Sequence, residues 1–432
     1  MNAETRMPPV ADGAADGRAT HSPRTGPRIW PEGGLTRVPY WAYQDQAIYD
    51  LEQERIYRGP VWHYLCLEVE LPGHGDYKTT HVGDMPVIVA RDTDGSINAF
   101  ENRCAHRGSL LALKNHGNAK DFTCVYHAWS HDLRGNLTGV AFRRGVNGRG
   151  GMPDSFTLEG KGPRKLRTAV YRGLVFGTLS EDTPPLEQWL GPQIRGRLER
   201  VLCKPLAVLG SYTQVLNNNW KLYFENVRDS YHSSLLHLFF ATFRISRMSQ
   251  GGGLIVDESG GQHVSYSISH QGGRDDAYEQ SGLRANKEDA FRLADASLLE
   301  IRDEFGDSCQ VQILSVFPGF VLQEIHNSLV VRQVIPRGVG RTHLVWTYLG
   351  FKDDDAKLRA LRLKHANLVG PAGYVSMEDG AVGNFVERGI AAAGAESSIV
   401  EMGGAGTETQ DTRATEASIR GFWKAWRARM GI

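Results

Sequence analysis

The sequence predicts an α+β protein in which an N-terminal all-β domain is followed by a larger domain with an antiparallel sheet and helices. Between residues 59 and 180, short β-branched runs alternate with glycine-containing turns, as in "MPVIVARDTDGSINAFENRC". The later segments "QVQILSVFPGFVLQEIHNSLVVRQVIP" and "RTHLVWTYLGF" have the composition of antiparallel strands. Between these two β-rich regions, "NNNWKLYFENVRDSYHSSLLHLFFATF" contains no glycine or proline and predicts one helix.

The chain divides into four segments. Residues 1–33 predict a flexible tail, because they are rich in alanine, glycine and proline and lack the apolar run of a signal peptide. Residues 34–58 predict a helix that packs with the C-terminal domain. Residues 59–180 form the predicted all-β domain and residues 181–432 the predicted mixed domain. Within the mixed domain, residues 271–300 are charged and loop-rich before turning helical, and "TRATEASIRGFWKAWRARM" predicts a C-terminal helix.

Composition argues against several classes of function. The 49 basic and 49 acidic side chains cancel, so no strong field attracts nucleic acid or an anionic membrane surface. No apolar run reaches the roughly 18 residues that span a bilayer. These properties predict a cytoplasmic protein. Five cysteines in so long a chain then argue against a disulfide framework and favour metal binding.

Two of the five cysteines are each followed closely by a histidine. Cys104 lies two residues before His106, and Cys124 lies three residues before His127. Structural zinc also accepts two thiolates and two imidazoles, but zinc fingers usually pair cysteine with cysteine and histidine with histidine. Here each loop offers one of each. That mixed pairing suits a [2Fe-2S] cluster in which one iron takes both thiolates and the other both imidazoles, with zinc as the competing interpretation.

A second group of candidate ligands lies in "ENVRDSYHSSLLH". Asp229 and His232 are three residues apart and share a face of the predicted helix. His232 and His237 are five apart, about 140° around an ideal helix. Their convergence on one metal ion therefore requires a bulge or bend near "SSLL", a distortion found often at functional sites. Without such a bend, both histidines would be packing or surface residues.

Taken together, these patterns resemble the large subunits of Rieske non-haem iron ring-hydroxylating oxygenases. Arg107-Gly108 and Trp129 follow the Cys-His pairs as they do in that family. Neither loop has the additional cysteine of respiratory Rieske proteins. Ala128 departs from the glycine that oxygenases commonly have, which we expect to be a small packing change. The resemblance covers about residues 40 to 430 and implies a Rieske domain followed by a helix-grip-like catalytic domain.

The resemblance also implies the cofactors and their ligands. A mononuclear Fe(II) needs one carboxylate beside its two histidines to leave positions open for O2. The segment "GPAGYVSMEDG" matches the family's third-ligand segment and implies Asp379, with Glu378 as the alternative. The implied ligands are Cys104, His106, Cys124 and His127 for the [2Fe-2S] cluster, and His232, His237 and Asp379 for the iron.

The same resemblance implies an assembly. Three subunits form a ring in which the cluster of one subunit faces the iron of the next. By residue match, Asp229 bridges His127 of one subunit to His232 of its neighbour and orients both imidazoles. The expected partners are a ferredoxin or reductase that supplies electrons from NAD(P)H, and a small β subunit that completes an α3β3 complex around the homotrimer.

Among oxygenases the sequence most resembles salicylate 5-hydroxylases and anthranilate and terephthalate dioxygenases, which implies an aromatic carboxylate substrate. The preferred expectation is salicylate 5-hydroxylation to gentisate. The alternative is cis-dihydroxylation of terephthalate, anthranilate or another benzoate. A buried carboxylate needs a cation, and the guanidinium fork is suited to it. Arg332 in "NSLVVRQVIP" is the first candidate, followed by Arg413 and Arg388, although each could form an ordinary salt bridge.

Three alternatives and one further set of residues stay open from the sequence. The alternatives are a Rieske electron carrier without oxygenase chemistry, a zinc-stabilised binding protein, and an oxygenase for steroids or quaternary amines. The length of the chain argues against the electron carrier, because the all-β domain alone would suffice. The apolar residues that could line a pocket or simply form core are Phe224, Leu235, Phe239 and Phe240.

Overall fold

The N-terminal segment is built from short elements where the sequence predicted one helix. The computed structural model describes residues 28–268 and 292–432, so most of the region predicted to be loop-rich and then helical lies outside the described residues. After a 3-10 turn, Gly34–Thr36, the elements are β1 (Arg37–Pro39), α1 (Trp41–Gln44), α2 (Gln46–Glu52) and a π-helical turn, Gln53–Tyr57. Asp45 separates α1 from α2 because its backbone is extended and its side chain caps α2, accepting from the Ala47 N–H at 2.8 Å.

A buried polar cluster joins this segment to the C-terminal domain. Glu52 is fully buried and accepts hydrogen bonds from the indole N–H groups of Trp220 and Trp426, each at 2.8 Å. The Lys221 ammonium lies 2.7 Å from the same carboxylate. Because a buried charge is costly without a partner, this ion pair and its hydrogen bonds fix the segment against the domain.

The all-β domain consists of two antiparallel sheets. Their strands are β2 (His63–Leu67), β3 (Asp76–Val82), β4 (Met85–Arg91), β5 (Ile97–Glu101), β6 (His116–Asn118), β7 (Phe122–Thr123), β8 (Ser130–His131), β9 (Leu137–Gly139), β10 (Lys165–Tyr171) and β11 (Leu174–Thr178). The larger sheet has the strand order β2-β11-β10-β5-β4-β3-β6, and the smaller has the order β7-β8-β9. The loop between β5 and β6 carries the first Cys-His pair, and the loop between β7 and β8 carries the second.

In its described residues, the C-terminal domain is a seven-stranded antiparallel sheet with helices packed on it. The strand order is β12-β18-β17-β16-β15-β14-β13. The strands are β12 (Leu206–Leu216), β13 (Gly252–Val256), β14 (Gln262–Ile268), β15 (Cys309–Val316), β16 (Phe320–Ile325), β17 (Ser328–Pro336) and β18 (Thr342–Phe351), and β19 (Ser397–Ile399) pairs with β1. The helices are α3 (Leu186–Val201), α4 (Trp220–Asn226), α5 (Ser233–Leu236), α6 (Leu238–Thr242), α7 (Ala356–Val369), α8 (Tyr374–Ile390) and α9 (Ala417–Met430).

The predicted fold class is confirmed, but the single long helix predicted between the β-rich regions is wrong. That segment forms α4, α5 and α6, separated by two breaks. At the first break, the Asp229 side chain accepts from the backbone N–H groups of Tyr231 and His232 at 2.8 and 3.2 Å. Such local side-chain bonds compete with helical hydrogen bonding. None of the helices in the described residues combines the length and apolar character needed to cross a membrane.

Candidate metal centres and substrate pocket

His232, His237 and Asp379 converge from three places in the fold. His232 immediately precedes α5, His237 lies between α5 and α6, and Asp379 lies on α8. One carboxylate oxygen of Asp379 lies 3.4 Å from Nε2 of His232 and 3.3 Å from Nε2 of His237. Neighbouring ligands bound at about 2.1 Å from one metal are themselves about 3 Å apart. Two imidazoles and one carboxylate at this spacing fit a facial Fe(II) site with open positions.

The bend that this convergence requires occurs at His237 itself. Its φ of −85° and ψ of 81° are not helical, and α6 starts anew at the next residue. A continuous helix would leave the two imidazoles about 140° apart. The break instead brings their ring centroids to within 5.3 Å.

A second carboxylate lies behind each imidazole. Glu378 Oε2 is 2.7 Å from Nδ1 of His237, and Asp229 Oδ2 is 3.3 Å from Nδ1 of His232. In metal sites such a group fixes the ring and makes its other nitrogen a better ligand. Glu378, the sequence alternative to Asp379, therefore faces the far side of His237. Asn226, which the sequence analysis missed, donates to Asp379 Oδ1 at 3.1 Å.

The electrostatics of this group favour a bound cation. Burial opposes ionisation of Asp379, but hydrogen bonds from His232 and His237 outweigh it and hold the pKa of Asp379 well below its ordinary range. Burial also lowers the pKa of His232, but Asp229 and Asp379 outweigh it and raise that pKa to about 10. Three carboxylates thus surround two imidazoles, and the same field would stabilise Fe(II).

The two Cys-His loops form matching turns at one end of the all-β domain. Gly108 N–H donates to Cys104 O at 3.0 Å, and Ala128 N–H donates to Cys124 O at 2.9 Å. Both cysteines are buried, at 2% and 3% exposure. The rings of His106 and His127 lie 4.5 Å apart, and Trp129 stacks on His106 at 4.6 Å.

The two thiols and two imidazoles fit a [2Fe-2S] cluster. Burial raises the pKa of Cys104. Burial also raises the pKa of Cys124, but backbone N–H groups of Tyr126 and His127 and the Cys104 thiol outweigh it, so that the pKa of Cys124 falls below its ordinary value. A lowered thiol pKa favours the thiolate that an iron–sulfur centre requires.

Ala128 occupies a backbone conformation that favours glycine. Its φ is 51°, in the left-handed region, where the equivalent Gly108 has a φ of 75°. An L side chain is strained there by about 1–2 kcal/mol. The expected small packing change is therefore a conformational strain instead.

Comparison with known proteins identifies the family. Residues 61–147 match the Rieske [2Fe-2S] domain family, and residues 204–432 match the catalytic domain of the ring hydroxylating alpha subunit family. The chain is a Rieske ring-hydroxylating oxygenase alpha subunit. The oxygenase also has the fold of a solved naphthalene 1,2-dioxygenase from Rhodococcus sp., with a TM-score of 0.74 and 24% identity over 91% of this chain and 94% of that one.

Curated relatives of the oxygenase cover nearly its whole length. It is 59% identical to a terephthalate 1,2-dioxygenase alpha subunit from Comamonas sp, over 93% of this chain and 97% of the relative. It is 46% identical to an anthranilate 1,2-dioxygenase large subunit from Burkholderia cepacia, over 93% and 95%. It is 41% identical to a salicylate 5-hydroxylase large component from Ralstonia sp, over 93% and 96%.

A pocket of the oxygenase opens directly onto the three converging side chains. Arg332 and Arg413, both predicted as substrate anchors, line it and are only 3% and 4% exposed. Arg332 donates to the Tyr223 hydroxyl at 2.5 Å and to Gln323 Oε1, and its guanidinium lies 4.8 Å from the Trp346 ring. Among the described residues no carboxylate forms an ion pair with Arg332. The apolar residues of the lining are Val227, Phe240, Val311, Ile313, Ile325 and Val375.

The structure does not bring the third predicted arginine to this pocket. Arg388 is exposed on α8, nine residues after Asp379. Nine residues correspond to about 180° around a helix, so the two side chains leave opposite faces. Of the four apolar candidates only Phe240 lines the pocket. The others are in the core (Phe224), exposed (Leu235) or packed against Tyr374 and Phe243 (Phe239).

Proposed function

We propose that this oxygenase cis-dihydroxylates a benzene dicarboxylate of the terephthalate type. The observation that carries the proposal is the buried guanidinium of Arg332, which forms no ion pair with a carboxylate of the described residues, in the pocket beside His232, His237 and Asp379. A buried cation is costly unless an anion neutralises it, so Arg332 favours a substrate carboxylate. Arg413 lines the same pocket and offers a second guanidinium to the other carboxylate of a dicarboxylate. The 59% identity to a terephthalate 1,2-dioxygenase subunit, against 41% to a salicylate 5-hydroxylase component, supports this alternative over gentisate formation.

In this proposal the chain holds two metal centres. Cys104, His106, Cys124 and His127 bind the [2Fe-2S] cluster, and His232, His237 and Asp379 bind Fe(II). When bound, the cluster supplies single electrons and the Fe(II) supplies the centre that activates O2. Glu378 holds the His237 imidazole by its Nδ1 atom at 2.7 Å, and the Asp229 carboxylate lies beside Nδ1 of His232 at 3.3 Å.

The arginines position the ring. Arg332 is held by Tyr223, Gln323 and the face of Trp346, so its guanidinium loses little freedom when it receives a carboxylate. Arg413 donates to Ser246 Oγ at 2.9 Å and to the Arg247 carbonyl, which fixes it in the same pocket. Substrate binding expels water, which strengthens both ion pairs and fixes the orientation of the ring.

Electron delivery requires a neighbouring subunit. The cluster loops expose Val125 and Tyr126 to 70% and 55%, and one face of α8 exposes Tyr374, Met377 and Phe385 to 60%, 52% and 60%. Exposed apolar patches of this kind mark protein contacts. We assign them to a head-to-tail homotrimer in which Asp229 bridges His127 of one subunit and His232 of the next. A small β subunit and a ferredoxin or reductase complete the system.

Oxygen-isotope labelling of a single turnover tests the reaction. The iron-loaded, chemically reduced protein is mixed with ¹⁸O2 and either terephthalate or salicylate, and the product is analysed by mass spectrometry. Dioxygenation predicts a terephthalate cis-diol that carries two ¹⁸O atoms. Gentisate with one ¹⁸O atom, and no product from terephthalate, would overturn the proposal.

A further inference from the structure

One face of the catalytic sheet forms a wall of the substrate pocket. In the antiparallel register Gln323 of β16 lies opposite Val330 and Ile313, and Arg332 lies two residues beyond Val330 on β17. Since alternate residues of a strand share a face, Gln323 and Arg332 project from the same side of the sheet. Both line the pocket that holds His232, His237 and Asp379.

The orientation of the Gln323 amide follows from its neighbour. Arg332 Nη2 donates to Gln323 Oε1. A guanidinium has no acceptor, so the oxygen end of the amide must face it and the NH2 end must turn away. Gln323 is 4% exposed, and its Nε2 has no hydrogen-bond partner among the described residues. A buried donor without a partner is unfavourable, and proteins retain one where a ligand satisfies it.

The guanidinium beside it is also incompletely bonded. Arg332 Nη1 donates to the Tyr223 hydroxyl and Nη2 to Gln323, while Nε is buried without a partner among the described residues. The wall therefore presents N–H donors from two adjacent side chains, one charged and one neutral. An ionised carboxylate has two oxygens with about four lone-pair directions and no donor, so it can accept from both.

We propose that Gln323 is a substrate-binding residue whose amide N–H group donates to the same substrate carboxylate that Arg332 holds. The inference deepens the proposed function and rests on it. Gln323 makes this end of the pocket selective for a group that only accepts hydrogen bonds. An amide or a hydroxyl in that place has one acceptor oxygen where a carboxylate has two, and a protonated amine has none, so donors of the wall would be left unpaired.

Two substitutions at position 323 separate a donor role from mere packing. Gln323→Met keeps a side chain of similar length but removes the donor, and Gln323→Glu places an acceptor beside Arg332. Hydrogen bonds to charged groups support a loss of terephthalate affinity of at least about tenfold for Gln323→Met. Gln323→Glu is expected to lose more, since it both neutralises Arg332 and repels the carboxylate.

Isothermal titration of the iron-loaded oxygenase with terephthalate measures these affinities without turnover. Gln312→Met is the matched control, because Gln312 is equally buried on β15 but does not line the pocket. A crystal structure of the terephthalate complex gives the direct geometry, with Nε2 of Gln323 within about 3.2 Å of the carboxylate on Arg332.

The outcomes distinguish this inference from the proposed function. If the wild-type protein binds no terephthalate, the proposed function fails. If it binds terephthalate on Arg332, but Gln323→Met leaves the affinity unchanged or Nε2 contacts no substrate atom, the role of Gln323 is overturned. A tenfold loss in Gln323→Met, with the Gln312→Met affinity unchanged and the contact observed, supports it.

Discussion

Glu378 Oε2 lies 2.7 Å from Nδ1 of His237, while the next residue, Asp379, faces the Nε2 atom of the same ring at 3.3 Å. Two consecutive acidic residues on α8 thus contact the two nitrogens of one imidazole. The arrangement gives them different tasks, since only the group on the Nε2 side also reaches His232, at 3.4 Å. Asp379 is the ligand in our account and Glu378 positions the ring.

Replacement of Glu378 by glutamine should weaken Fe(II) binding without removing a ligand. Loss of such an outer carboxylate typically reduces metal affinity about 10- to 100-fold. Chelator competition measures the affinity, and Glu396→Gln, at an exposed position, is the control. Asp379→Asn should lower the Fe(II) affinity more than Glu378→Gln does. The reverse order would mean that Glu378 is the iron ligand and Asp379 positions the imidazole.

Fe(II) affinity should increase with pH. Burial lowers the pKa of His232, but the effect of Asp229 and Asp379 is larger, and the pKa is raised from 6.5 to about 10 in the metal-free protein. Since Fe(II) needs neutral imidazoles, protons compete with it below that pKa. Chelator competition between about pH 6.5 and 9 should show tighter binding at the higher pH, and a constant affinity would contradict the account.

The stability of the metal-free protein should change in the opposite direction. A pKa raised on folding stabilises the native state fully below the unfolded value of 6.5, and that stabilisation is lost as the pH rises toward about 10. Calorimetry should therefore give a lower Tm for the metal-free protein at about pH 9 than at 6.5. Asp229→Asn should reduce this difference, because it removes one of the charges that raise the pKa.

Arg332→Met and Arg413→Met should each weaken terephthalate binding by about 100-fold, because each leaves a buried carboxylate unpaired. Benzoate has one carboxylate and should be affected strongly by only one of them. Titration calorimetry measures both ligands, and Arg388→Gln on the opposite face of α8 is the control. Equal effects of all three substitutions on terephthalate affinity would contradict the proposal that Arg332 and Arg413 bind the substrate carboxylates.

Ala128→Gly should stabilise the cluster domain by about 0.5–1 kcal/mol, since glycine relieves the strain at φ 51° but is more flexible when unfolded. Thermal unfolding monitored by the visible absorption of the cluster measures the change. Ala105→Gly in the first loop, where φ is not positive, should be destabilising by a similar amount. A lower Tm for Ala128→Gly would contradict the strain argument.

Asp229→Asn should slow electron transfer even in protein whose iron site has been saturated with Fe(II), which the variant is expected to bind more weakly. A neutral amide still fits beside His232, but it has one acceptor oxygen and cannot accept from two imidazoles with both terminal atoms as a carboxylate can. Stopped-flow oxidation of the reduced cluster, in the presence of substrate and O2, measures the rate. An unchanged rate, with iron and sulfide contents equal to wild type, would show that Asp229 is not needed for electron transfer.

Most residues of the candidate site could be proposed from the sequence. The Cys-His pairs and the Asp-His-His segment are local patterns, and the later Met-Glu-Asp segment was matched through the resemblance to the family. Contacts between residues far apart in the sequence could not be predicted. Nothing in the sequence marks Asn226 and Gln323 as site residues, and only the fold places them beside Asp379 and Arg332. The two helix breaks depend on an Asp229 side-chain bond and on the His237 backbone, which periodicity does not register. The prediction that Arg388 lines the pocket was wrong because the sequence was not interpreted as a helix there. On a helix, the nine residues between Asp379 and Arg388 place the two side chains on opposite faces.

Electron paramagnetic resonance of the chemically reduced protein with nitric oxide, with and without terephthalate, tests the central claim most directly. The account predicts one signal from the reduced cluster and a separate iron–nitrosyl signal that terephthalate shifts, because the substrate enters the pocket beside His232, His237 and Asp379. No nitrosyl signal in fully iron-loaded protein would contradict the assigned iron ligands. A nitrosyl signal that terephthalate leaves unchanged would contradict the dicarboxylate pocket.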